Sequence, residues 1–419
     1  MKLGKDFTNT FLYFIFEGIS KGGNYLLLLF IASFLSEALY IKIFLLLSLE
    51  IVLTMLYISY YGEVLYGYNL NKVSFRKLFF SSMYLFSSFQ FLVFSVLYAL
   101  FFANIFAEYY EYENKWVILL ILFNGFLVNI IRLYATYFQL MEEHKKAIFF
   151  RSVPFAFTFV IVLLFFLLGQ DKVLSFFLGK MLGLLLFVFF AFIREESIKI
   201  FYFSKETFIF CRNIFKKSKY AFVIGVLGWL SGMGFPYFVK VFGNENDTLL
   251  LGYIINIFVL IQFISFGINQ VYSPRLKKLY DLSFGRTFSL SRKYHIVYMC
   301  IVCFLLIIWK LVDVLLNIFV NEQVLQKLTI WIDVFPYALL VFFFNTFHWI
   351  TTPYYYIRNE FKKLFMINIL SNIIGWLAIF MMLKMFKLNN FILFYQLLWG
   401  ITMLVPYLNI RYELWRVKK

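Results

Sequence analysis

Long apolar stretches alternate with short polar connectors along the whole chain. The apolar runs lie near residues 9–33, 40–62, 78–104, 116–138, 153–170, 174–193, 220–242, 249–272, 294–320, 331–357, 364–386 and 391–410. A helix needs about 20 apolar residues to cross about 30 Å of hydrocarbon. The pattern therefore predicts an all-α polytopic membrane protein of about 12 transmembrane helices. The divisions between the fifth and sixth and between the eleventh and twelfth runs are the thinnest. They rest on Gly169-Gln170-Asp171-Lys172 and Lys387-Leu388-Asn389-Asn390.

Two of the runs are broken by glycine at corresponding places. The first carries Glu17, Gly18, Lys21, Gly22, Gly23 and Asn24; the seventh carries Gly232, Gly234, Pro236 and then Lys240. An offset of 214 lays Gly18 on Gly232 and Gly22 on Pro236. A second offset, 217, lays Tyr137, Glu143, Lys145 and Lys146 on Tyr354, Glu360, Lys362 and Lys363. Together they predict a duplicated six-helix unit: residues 1–200, a basic cytoplasmic linker 201–219, and residues 220–419. Six helices is an even number, so both units keep the same orientation about an axis along the membrane normal. Interrupted spans at matching positions of two halves also point to a transporter's binding site. The break frees backbone groups that need a polar cavity at membrane depth.

Composition agrees with this class. The chain is 63% hydrophobic and 15% charged, with mean hydropathy +0.82, against about half and about a quarter in soluble domains. The net charge of +17 is distributed unevenly. Connectors 63–77, 139–152, 194–219, 273–293 and 358–363, with both termini, hold 28 of the 39 basic residues. The intervening connectors are poor in cations, and two are acidic (Glu108, Glu111 and Glu113; Glu245 and Asp247). This bias predicts cytoplasmic termini and anionic membrane lipids as partners. No connector is long enough to fold as a nucleic-acid-binding domain. Segment 194–219 alternates apolar Ile198, Ile200, Phe201, Phe208 and Phe210 with Lys199, Lys205, Arg212, Lys216 and Lys217, as expected of a helix lying on an anionic leaflet. The first run lacks a small-residue cleavage site after a short apolar core, so it reads as an uncleaved anchor.

Little points to an enzyme. There is no phosphate-binding loop of the P-loop form. His144, His295 and His348 have no metal-ligand spacing, and neither a metal nor a cofactor is expected. Cys211, Cys300 and Cys303 give no disulfide framework, and the Cys300–Cys303 pair reads as helix packing. The outer connectors, about ten residues at most, are too short for the external loops of a repeat-unit polymerase or ligase.

The informative residues are charges at membrane depth, which are costly in hydrocarbon and usually face an interior or a wet cavity. Glu17 and Lys21 share a helix face and can pair, either as a structural couple or within a cavity. Glu50 is either the partner of a basic group on a neighbouring helix or a titratable coupling carboxylate. Arg132 either snorkels or holds an anionic headgroup, and Lys240 has the same two readings. Lys180 and Lys310 read as snorkelled or paired, Lys310 with Asp313. His348 is either packed or part of a proton relay. The sum is positive, which suits an anionic substrate.

Several stretches carry a family resemblance: Lys217-Ser218-Lys219 before the seventh span, Leu251-Gly252-Tyr253 opening the eighth, and Tyr272-Ser273-Pro274-Arg275-Leu276 closing it. Arg358-Asn359-Glu360-Phe361-Lys362-Lys363 after the tenth span, with Asn368 and Asn372, forms a second match. Over essentially its whole length the chain resembles the polysaccharide transporter branch of the multidrug/oligosaccharidyl-lipid/polysaccharide (MOP) exporter superfamily, specifically a Wzx-type O-antigen flippase. The resemblance implies a MATE-like bundle in the bacterial inner membrane, with two six-helix lobes around a central cationic cavity. It also implies alternating access that carries an undecaprenyl-pyrophosphate-linked repeat unit from the cytoplasmic to the periplasmic leaflet, beside a polymerase and a chain-length regulator. Glu17, Lys21, Asn24 and Lys240 would serve the cavity, followed by Glu50 and Arg132. The acid–base pair that the family often places at the seventh-span break is reduced here to Lys240. A cation-coupled small-molecule exporter, a membrane-embedded polymerase or ligase, and a non-transporting scaffold are the rival readings.

Overall fold

A computed structural model describes residues 27–28, 30–31, 34–57, 73–110, 112, 114–141, 143–195, 204–280, 284–319, 322–358, 360–385 and 390–418. The described residues are helices and connectors with no β-strand. In chain order they are α1 (Glu37–Met55), α2 (Val73–Leu97), a π-helical turn (Tyr98–Phe102), α3 (Ala103–Tyr109), α4 (Trp116–Leu140), α5 (His144–Leu168) and α6 (Lys172–Arg194). Then come α7 (Lys205–Ser231), α8 (Phe235–Phe242), α9 (Glu245–Tyr280), α10 (Phe284–Phe319), α11 (Glu322–Ile357), α12 (Phe361–Lys384) and α13 (Phe391–Lys418). Eleven of the twelve apolar runs fall on these helices; the first lies largely outside the described residues. Nine helices among the described residues are long and apolar enough to cross a membrane, or ten when α7 and α8 count as one span bent by 41°.

The thin divisions hold because their polar residues cap helices. Asp171 accepts a hydrogen bond from the Leu174 amide at 3.0 Å and starts α6. Asn390 does the same for the Leu393 amide at 3.0 Å and starts α13. Such caps satisfy amides that have no partner inside the helix.

The helices form two compact units, with α1–α6 and the start of α7 in one, and the end of α7 with α8–α13 in the other. Residues 205–219 are helical and run without a break into residues 220–231. Thr207, Phe210, Cys211 and Ile214 bury one stripe of that segment, while Phe208, Ile209, Arg212 and Lys216 are exposed. Phe210 and Ile214 pack into an aromatic core with Phe79, Phe80, Tyr134, Tyr137, Phe138, Phe150 and Phe187.

The two units repeat each other in register. α4 ends at Leu140 and α5 begins at His144; α11 ends at Ile357 and α12 begins at Phe361, each 217 residues later. The backbone turns match as well: the Glu143 amide donates to Phe138 O and the Glu360 amide to Tyr355 O, both at 2.9 Å. Burial follows the same order. Of the most apolar 18 residues, only 6% are buried in the third span and in the ninth, against 61% in the fourth and 44% in the tenth. In each unit the same helix is peripheral. Cys300 and Cys303 lie on peripheral α10 and are exposed, so the packing role expected of them does not hold. Their sequence is as apolar as its neighbours, but their helix offers its faces outward.

Candidate functional site

In the first unit the site is built by close helix approach. A Cβ on Gly179 would lie 2.8 Å from the Val162 Cα, and one on Gly183 would lie 2.6 Å from the Thr158 Cα. Two glycines one turn apart thus let α6 press its backbone against α5, a small-residue contact of the kind that joins helices where lipid gives no hydrophobic drive. Lys180 follows Gly179 and is turned off that seam. Its Nζ donates to Glu50 Oε2 of α1 at 2.7 Å. The two side chains are 2% and 5% exposed. Each charge would be expensive alone at this depth, and the pair offsets that cost.

Arg132 of α4 is half-buried in the same unit. Buried amides line α4 on the N-terminal side of Arg132: Asn124 Nδ2 donates to Phe177 O at 3.4 Å, and Asn129 Nδ2 to Ser87 Oγ at 3.1 Å. Thr54 Oγ1 donates back to Glu50 O at 2.7 Å, closing the α1 face next to the carboxylate.

In the second unit, α7 stops at Ser231 and α8 starts at Phe235, with Gly234 before it and Pro236 in its first turn. A Cβ on Gly232 would come to 3.0 Å from the Trp399 ring and from the Gly228 carbonyl oxygen, so a larger residue must push the ring aside. Ser231 Oγ donates to Asn372 Oδ1 of α12 at 2.5 Å. The break is walled by rings: Phe235 lies 5.7 Å from Trp376 and 5.5 Å from Tyr395, and Phe258 lies 5.2 Å from Trp399. Lys240 stands half-buried in the last turn of α8. His348 in α11 sits 3.2 Å from the hydroxyl of Thr352, one turn on, with its ring edge-on to Trp349. Lys310 pairs with Asp313 at 3.7 Å on exposed α10.

The structure brings Glu50 and Lys180 together, with Arg132 half-buried elsewhere in the same unit. Lys240 and His348 lie in the other unit, and Glu17, Gly18, Lys21, Gly22, Gly23 and Asn24 lie outside the described residues. Lys180 is the member that reading the charges alone left out of the site. Its signal was the Gly179-x-x-x-Gly183 seam beside it. Ser231, Asn372 and Trp399, which surround the seventh-span break, carried no signal as single residues. Among the described residues no three His, Cys, Asp or Glu side chains are placed to hold a metal ion.

No family model matches the chain, and no curated protein does either. Solved structures do. The eukaryotic MATE transporter AtDTX14 superposes with a TM-score of 0.69 at 12% identity, covering 97% of this chain and 96% of its own. The MATE multidrug transporter DinF-BH, solved in complex with a ligand, gives 0.65 at 12% identity over 98% and 95%. A MOP superfamily transporter from Pyrococcus furiosus, described as having a binding pocket of reversed polarity, gives 0.61 at 12% identity over 98% and 96%. Along nearly its whole length, this chain has the fold of the MATE transporters of the MOP superfamily.

Proposed function

We propose that the protein is a flippase that moves lipid-linked oligosaccharide repeat units, joined through pyrophosphate to undecaprenol, across a bacterial inner membrane by alternating access. The observation that carries this reading is the sign of the charge at membrane depth. Lys180, Arg132 and Lys240 outnumber Glu50, and Glu50 is already committed to Lys180. Cations at membrane depth suit a pyrophosphate, and a guanidinium such as that of Arg132 binds phosphate oxygens in a two-pronged fork. The MATE fold supports transport as the activity class. Anionic leaflet lipids, and a polymerase and chain-length regulator of the same pathway, are the partners that go with this reading.

A second reading, a cation-coupled exporter of small molecules, is favoured by the likeness to DinF-BH, a multidrug transporter. The two differ in which charges matter. On the flippase reading, Arg132→Gln combined with Lys21→Gln lowers delivery of lipid-linked units at least tenfold in cells, with the protein still present in the membrane at normal levels. Full delivery by that double variant would sink the anionic-substrate reading. Loss of export of a cationic drug on Glu50→Gln, with delivery intact, would favour the exporter.

A further inference from the structure

The offset of 217 that superposes the two fourth-to-fifth connectors also superposes a set of ion pairs. In the first unit Lys146 Nζ lies 2.9 Å from Glu143 Oε2 and 3.1 Å from Glu195 Oε2. One ammonium thus joins the α4–α5 connector to the residue that ends α6. In the second unit Lys363, 217 residues on, pairs with Glu360 at 3.7 Å and with Glu413 near the end of α13. Glu360 is the counterpart of Glu143 by the same offset, and Glu413 follows Glu195 by 218. A cation, a connector carboxylate and a last-span carboxylate recur in the same roles.

The two sets differ at two positions. Arg358 lies 2.7 Å from Glu360 and 2.9 Å from Glu413, bridging both carboxylates. Its counterpart in the first unit is Met141. Asn409 Nδ2 also donates to Glu413 Oε1 at 2.9 Å, where the first unit has Ala191. The second unit therefore holds two cations against two carboxylates, one cation being a rigid fork. Among the described residues, the first hangs on a single ammonium, as exposed as that of Lys363 but with no guanidinium beside it.

We propose that Lys146 and Lys363 are duplicated clamp residues that fasten the fourth-to-fifth connector of each unit to the end of its last span, and that the clamp of the first unit is the one that releases. Exposed single pairs hold weakly and are screened by salt, whereas a network with a forked guanidinium holds better. The clamps need no substrate to act, so they stand apart from the flippase reading.

The test is amide hydrogen exchange on the full-length protein in lipid nanodiscs, at low and high salt. The connector amides of Met141, Glu143 and Ala147 report on the first clamp and those of Arg358, Glu360 and Leu364 on the second, since all six are held by the matching backbone turns. Lys146→Gln raises exchange of the first set about fivefold, the equivalent of two lost exposed pairs of about 0.5 kcal/mol each, and leaves the second set unchanged. Lys363→Gln alone has a smaller effect on its own set, and Arg358→Met with Lys363→Gln brings it to the level of the first. Met141→Arg, which adds the missing fork, slows exchange of the first set and flattens its salt dependence, a gain of order that misfolding cannot mimic. Unchanged exchange in Lys146→Gln, equal loosening by Lys146→Gln and Lys363→Gln, or no protection by Met141→Arg would each overturn the proposal.

Discussion

Lys180 and Glu50 meet across 130 residues of sequence, and neither can tolerate the loss of the other. Lys180→Met strands a carboxylate among apolar side chains and Glu50→Gln strands an ammonium; each uncompensated buried charge costs about 3–5 kcal/mol. Removing both leaves a neutral contact of similar volume, so the double variant regains most of that loss. Thermal unfolding in detergent of the two single variants and the double should show a coupling of about 2–3 kcal/mol. Simple additivity of the single effects would mean that the pair does not form. The need for a partner was legible in the sequence, because a lone carboxylate inside an apolar run has few other solutions. The identity of that partner was not. Nothing local links position 50 to position 180, and only the approach of α6 to α5 turns Lys180 inward.

Helices were read more readily than side-chain partners, because span length and apolarity are set by the bilayer and not by packing. Eleven runs became helices, and the divisions at 169–172 and 387–390, the weakest in the sequence, are fixed by the caps that Asp171 and Asn390 supply. The helix ends were harder to read. α9, α10 and α11 each extend to 36 residues, since their polar connectors keep helical geometry beyond the apolar stretch. The π-helical turn at Tyr98–Phe102 sits in a run of large apolar residues with no glycine or proline to mark it. Glycines at helix contacts give the sharpest test at this scale. Gly183→Ala puts a methyl 2.6 Å from the Thr158 backbone and forces α6 off α5, at a cost of about 1–3 kcal/mol. Gly228→Ala meets nothing within 4 Å and is neutral, or stabilising by up to about 1 kcal/mol through helix propensity. The unfolding midpoints of these two variants separate the cases; equal effects would mean that the α5–α6 seam is not closed.

For the molecule as a whole, the duplication organises everything else. Two units with the same helix order and connector register, and the likeness to MATE transporters at 12% identity, show how far a fold persists while its sequence changes. On the flippase reading the choice of cargo depends on the charges at membrane depth, where the buried carboxylate is already neutralised by lysine. The measurement that meets this claim most directly is the sidedness of lipid-linked single repeat units in cells lacking the protein. Units held on the cytoplasmic leaflet, shielded from an external glycan-labelling reagent and released by restoring the gene, are the predicted result. Units that accumulate unpolymerised yet react with the external reagent would show that flipping proceeds without this chain, and would contradict the account.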